Sequence, residues 1–200
     1  MKRTLVFPVL LILLCGTTAF ADYDTGKKAH QNRDYETALA EIKPLAEQGH
    51  AKAQSLLGSM YGNGLGVTLN YKTAVKWYRL AADQGDSSGQ HNLGFMYQNG
   101  LGVTRDNETA FKWYKLAAEQ ATVEPGAAYS QYNLGIMYFT GNGVTKNFIR
   151  AHMWWDIAAS LGVEHAAKFR DEIEIEMTPS QLEKAQFLAR ECLERKFKDC

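Results

Sequence analysis

What this sequence lacks narrows it first. Neither charge is in excess, since 22 Lys and Arg stand against 22 Asp and Glu. Without a basic block there is no electrostatic case for nucleic acid or for an anionic membrane surface. No apolar run is long enough to cross a bilayer. The one candidate, Leu5 to Leu14, has about half the roughly 20 residues that a spanning helix needs. Cysteine is scarce, three in 200 residues, and none sits in a Cys-x-x-Cys pair. The five histidines, His30, His50, His91, His152 and His165, form no i, i+4 pair and no His-Glu-x-x-His element, so no zinc site is expected. Ser-x-x-Lys does not occur, and the one Gly-x-Ser-x-Gly match, Gly85-Asp86-Ser87-Ser88-Gly89, falls between two helical blocks rather than at a strand-to-helix turn, so no acyl-transfer nucleophile is expected. No catalytic set, metal or cofactor is expected.

The first 21 residues read as a secretory leader. Lys2 and Arg3 precede the short apolar stretch, and Ala19-Phe20-Ala21 supplies the small-x-small pattern of a cleavage site before Asp22. A lipid anchor on Cys15 is the rival reading. It wants a small residue just before the cysteine, where Leu14 stands. Export to the periplasm, or beyond it to the medium, is therefore expected. An oxidising compartment favours pairing the remaining cysteines, Cys192 and Cys200. Eight residues of continuous helix would hold them about 12 Å apart, so a bridge requires the chain to leave the helix and turn back. A buried Cys192 beside a free Cys200 is the alternative.

What is present is repetition. Leu57-Gly58-Ser59-Met60-Tyr61 is answered by Leu93-Gly94-Phe95-Met96-Tyr97, 36 residues on, and by Leu134-Gly135-Ile136-Met137-Tyr138, 41 further. A second block follows each, Ala74-x-x-Trp77-Tyr78-x-Leu80-Ala81-Ala82, then its copies from Ala110 and from Ala151. Between the blocks lie Gly64-Leu65-Gly66-Val67, Gly100-Leu101-Gly102-Val103 and Gly141-Asn142-Gly143-Val144. The five extra residues of the longer step fall around Ala121–Gly126 and are expected to lengthen one loop, leaving the helices alone.

Both blocks carry helical spacing. Ala53, Leu57 and Tyr61 share a face, as do Ala74, Tyr78 and Ala81. Asn70, Asp106 and Asn147 occupy one slot ahead of the second block, where a side-chain oxygen caps a helix. Gly49 and Gly85 stand where a helix ends in a left-handed residue. Gly58, Gly94 and Gly135 lie inside helices at a cost of about 1 kcal/mol each relative to alanine. A cost repeated in register implies close helix contact, filled by an aromatic of the partner helix. The recurring glycine turns are unlike a phosphate loop, because a helix rather than a strand precedes them. The Trp-Tyr pairs read as core, with one member of each pair half exposed. The run Glu172-Ile173-Glu174-Ile175-Glu176 reads as a solvated edge.

These residues resemble the tetratricopeptide signature and, more closely, the Sel-1-like repeat, through the 36-residue period, the Gly-x-Gly-Val turn and the Trp-Tyr-x-x-Ala-Ala block. The resemblance implies an all-α fold, a right-handed α-solenoid of about five stacked antiparallel helix pairs. The expected division is a leader (1–21), a degenerate opening pair (22–49), three repeats (50–85, 86–126 with the extended loop, 127–162) and capping helices (163–200). Thr178, Pro179 and Gln181 read as a capping box opening the last helix.

In such solenoids binding uses the concave face of the first helices. Carried over by spacing, that face holds Ser55, Ser59 and Gly62, then His91, Phe95 and Gln98, then Tyr129, Tyr132, Ile136 and Phe139. It runs from small and polar to aromatic, which suits a protein or peptide partner. Packing of Tyr129 and Phe139 against the long loop or the last helices is the competing expectation. The resemblance implies a monomeric, non-catalytic adaptor of the cell envelope. Two rivals are a β-lactam-binding or hydrolysing enzyme, whose relatives carry a cysteine pair in each repeat that this chain lacks, and a polysaccharide-binding module using Trp77, Trp113 and Trp154.

Overall fold

A computed structural model describes residues 21–120, 125–197 and 200. Apart from Ala21, the expected leader lies outside the described residues. Ten helices and no strand occur among them. They are α1 (Tyr23–Gln31), α2 (Tyr35–Glu47), α3 (Ala51–Asn63), α4 (Tyr71–Asp83), α5 (Ser87–Asn99), α6 (Asn107–Ala118), α7 (Pro125–Thr140), α8 (Phe148–Ser160), α9 (Glu164–Glu174) and α10 (Pro179–Glu194).

The helix boundaries follow local chemistry. Asn70, Asp106 and Asn147 each accept a 3.0 Å hydrogen bond from the backbone N–H three residues on. Thr178 and Gln181 complete a reciprocal capping box, with Pro179 at the first helical position. Just past the ends of α2, α4 and α8, Gly49, Gly85 and Gly162 take φ of 96°, 86° and 90°, a region closed to most side chains.

Pairs are locked at the internal glycines. A Cβ added to Gly58 would stand 2.7 Å from the Tyr78 ring, and one on Gly94 2.9 Å from Tyr114. On Gly135 it would overlap the Trp155 indole. Neighbouring pairs are locked at the turns. The second turn glycines, Gly66, Gly102 and Gly143, lie against the backbone of Tyr35, Tyr71 and Asn107, each in the first turn of the preceding second helix.

A glutamine ladder stitches the layers from within. Buried Gln54, Gln90 and Gln131 donate to the carbonyls of Ala46, Ala82 and Ala118, in the last turn of the helix before. These are carbonyls that a helix end otherwise leaves without a partner. Gln84 and Gln120 then donate to the side-chain oxygens of Gln54 and Gln90 at 2.7 Å. In the third repeat the donor's place is taken by Leu161, and Gln131 Oε1 is buried without a hydrogen bond among the described residues.

Each second helix packs on its own first helix and on the next one, and the first helices α3, α5 and α7 also touch in sequence. The first helices therefore line the inner side of an all-α solenoid. Two expectations need correction. The insertion does not spare the helices, because α7 begins three residues earlier, relative to its Leu-Gly, than α3 and α5 do. Gly126 in that extension lies against the backbone of Ser87 and Ser88 at the start of α5. Nor do α9 and α10 form a fifth pair, since both dock chiefly on α8. Helix α9 is tied to α8 by His152 Nε2 with Glu174 (2.8 Å) and by Arg170 with Asp156 (3.0 Å).

Candidate functional site

One register position decides how open the inner face is. It is held by Gly62, Gln98 and Phe139 in the three repeats. Gly62 fills nothing, and its missing Cβ would stand 3.4 Å from the Tyr78 hydroxyl. Gln98 instead reaches the second helix of its own pair, accepting 2.9 Å from the Tyr114 hydroxyl. Phe139 lays its ring 5.7 Å from that of Trp155.

Beside Gly62 a cavity of about 450 Å³ opens between α3 and α5, within the size range of ligand sites. Tyr78, Asn92, Phe95 and Met96 line it, with Tyr71 and Leu101 at its edge. Phe95 is 45 % exposed and Tyr71 36 %, so an apolar surface faces the groove. Burial pushes the Tyr78 hydroxyl up to about 12, partly offset by a hydrogen bond with Ser59; it is a neutral donor at any physiological pH.

His91 forms part of the wall. Its Nδ1 hydrogen-bonds with Ser130 Oγ at 3.0 Å, and its ring lies 5.5 Å from Tyr114 and 6.2 Å from Tyr129. Burial holds the imidazole down at about 4, so it presents a neutral ring to the groove. A partly buried neutral histidine clamped to a serine positions; it is poorly placed to carry protons near neutral pH.

The expected groove residues separate into three groups. Ser59, Gly62, His91 and Phe95 share the cavity. Ser55, nearly buried, lines an adjoining recess of about 200 Å³ with Ser59, Lys52 and Asp86. The aromatic end behaves differently. Tyr132 and Ile136 pack into the core that α8 and α9 share, with Tyr132 6.0 Å from Phe169. Phe139 stacks on Phe148 at 5.6 Å and belongs to a second cavity. Tyr129 is the most exposed of that set, at 53 %, with its ring beside that of His91. Tyr71 and Leu101 escaped the sequence reading because spacing was counted on the first helices, whereas the cavity also draws on α4 and on a turn; Asn92, on α5, stands one position beside the face that was counted.

Cys192 and Cys200 are joined by a disulfide with Cα atoms 5.4 Å apart. Helix α10 ends at Glu194, and Lys196 and Phe197 then take positive φ and turn the chain back. Arg150 of α8 donates to the Cys200 carbonyl at 2.7 Å. Among the described residues no cluster of His, Cys, Asp and Glu is arranged to hold a metal ion, and no helix is long and apolar enough to cross a membrane.

A family profile described as the Sel1 repeat matches residues 51–86, 87–121 and 128–163. A Sel1 repeat protein of Oxalobacter formigenes is 34 % identical with a TM-score of 0.67, over 73 % of this chain and 56 % of that one. A protective antigen of uropathogenic Escherichia coli strains, displaying an SLR fold, is 25 % identical with a TM-score of 0.60, over 88 % of this chain and 46 % of its own. The chain thus spans about half the length of both. No curated protein matches it significantly. With three matched repeats covering more than half of its length, the chain belongs to the Sel1-repeat family.

Proposed function

We propose that this chain is a non-catalytic adaptor of the bacterial cell envelope, which holds an extended segment of a partner protein along its inner face. The observation that carries the reading is the cavity at Gly62, where Phe95 and Tyr71 leave apolar surface exposed beside the hydrogen-bonding groups of Asn92 and Ser59. Aromatic anchors in a pocket rimmed by polar groups are the form in which interfaces concentrate their energy. Sel1 repeats generally mediate protein–protein interaction, in keeping with this use of the groove. Export is supported by the leader-like first 21 residues and by a disulfide of the kind that oxidising compartments preserve.

A chain starting at Asp22, which contains the ten described helices, serves as bait in a cross-linking capture from envelope extract, with Phe95→Glu and Gly62→Gln as controls. The expected result is a protein retained by the unaltered chain and lost by both variants at unchanged helicity. Equal retention by all three baits would sink the groove reading. Export is checked separately by fractionation and the mature N-terminus, where a cytoplasmic product still beginning at Met1 would overturn it.

A further inference from the structure

The cavity at Gly62 has a counterpart further along the same face. Phe139, Trp155, Phe169, Glu172 and Ile173 line a cavity of about 210 Å³ between α7 and α9. Each stands 77 positions after a residue of the first cavity, in the order Gly62, Tyr78, Asn92, Phe95 and Met96. The same inter-repeat pocket is thus built twice, with different chemistry. Where the first has glycine, tyrosine and asparagine, the second has three aromatic rings in a row. Trp155 lies 5.7 Å from Phe139 and 5.4 Å from Phe169, stacked on the latter. Where the first has Phe95 at its lip, the second has Glu172, joined by Glu176.

We propose that this second pocket receives an arginine side chain of the partner protein, its guanidinium lying against the accessible parts of Phe139 and Phe169, with the buried Trp155 indole as the floor between them, and facing the two carboxylates. Ring faces attract cations, and a planar guanidinium both stacks on aromatics and pairs with carboxylates through paired N–H donors. At about 210 Å³ the pocket is of side-chain size, smaller than the sites that hold whole small molecules. The protein already sets one cation on this row, with Lys146 Nζ 5.6 Å from the Phe139 ring and 4.6 Å from Phe148. Lys146 is not among the cavity's lining residues. Glu172 has only an exposed pairing with Lys168 at 3.8 Å, worth little and easily exchanged. Glu176 has no ion-pair partner among the described residues. The inference rests on the groove reading but names a separate contact.

The test titrates acetyl-Gly-Gly-Arg-Gly-Gly-amide into the ¹⁵N-labelled chain from Asp22 at low salt, with the neutral isostere carrying citrulline in parallel. Saturable shifts are expected at the Trp155 indole N–H and the amides from Phe169 to Glu176. They should weaken about fivefold in the Glu172→Gln, Glu176→Gln variant and vanish with citrulline. Equal binding of the citrulline peptide, no saturable shift with arginine, or shifts confined to other helices would each overturn the proposal. Both substituted positions are exposed, so the variant's unshifted spectrum elsewhere reports its fold. Partner capture lost at Phe95→Glu together with a failed arginine titration would remove this inference and leave the adaptor reading standing.

Discussion

The outer face of the third repeat differs from that of the first two, although all three share one template. Helices α4 and α6 set Lys76 and Lys112 in solvent and leave Leu80 and Leu116 47 % and 49 % exposed. Helix α8 carries Met153 and Ile157 at the same positions, and both are buried, with Ala189 and Cys192 of α10 in the same core cluster. Trp154 is fully covered with them, whereas Trp77 and Trp113 remain half-buried. Substitutions on a shared frame, Met153 for lysine and Arg150 for threonine among them, thus turn a solvated helix face into a docking site. A stack of repeats must be closed somewhere, because its last layer has no neighbour to bury it. Here the closure is lateral: α10 lies across the outside of α8, and the disulfide and Arg150 fasten its end.

The sharpest way to break this contrast is Met153→Lys, which gives α8 the residue its sisters carry. A lysine forced beneath α10 is an unpaired buried charge, and urea unfolding should show a loss of about 3 kcal/mol or more. The reverse change, Lys112→Met, falls on an open face and should stay within about 0.5 kcal/mol. Comparable losses from both would mean that the two faces are not distinguished by what covers them. Cys200→Ser comes next. Opening this short loop should cost about 2 kcal/mol, with faster amide exchange confined to α10 and α8. Exchange that rises equally in α3 and α4 would show the closure acting on the whole stack.

Among the internal glycines, Gly135→Ala should cost about 2 kcal/mol, because the rigid Trp155 indole must move, despite the helix propensity gained. Gly94→Ala meets only the edge of Tyr114 and should cost less. An inverted order in thermal melts would overturn the account of the locked pairs. The smallest effect should be a gain. Leu161→Gln restores the donor that Gln131 Oε1 lacks and should stabilise by about 1 kcal/mol, read as a higher urea midpoint at unchanged slope.

Much of this architecture was legible before any coordinates, because local chemistry wrote it down three times. The caps at Asn70, Asp106 and Asn147, and the meeting of Gly58 with an aromatic, depend on residues within one repeat. The glutamine ladder was equally visible, since Gln54, Gln90 and Gln131 stand in register, yet a polar residue in a repeat is easily taken for surface. The ends were harder to read. Whether Tyr132 and Ile136 face a groove or a neighbour depends on where α9 docks, and α9 lacks the Leu-Gly motif that would announce its position. The extension of α7 was hidden for a similar reason, since nothing around Gly126 shows that a start of α5 lies waiting to receive it. Within the site, the three residues at the Gly62 register were open to comparison, but their meaning required seeing what a missing side chain leaves empty.

The turn glycines have one more consequence. Gly102 rests on Tyr71 as Gly66 rests on Tyr35, so the seam between layers is interchangeable. A second copy of residues 71–106 placed after Asp106 would begin behind a capping aspartate, offer Tyr78 to Gly94, and return the chain to Asn107 with its old neighbour in place. The groove is a ruler that can be lengthened in whole divisions, and the span between its two pockets would grow by one division each time.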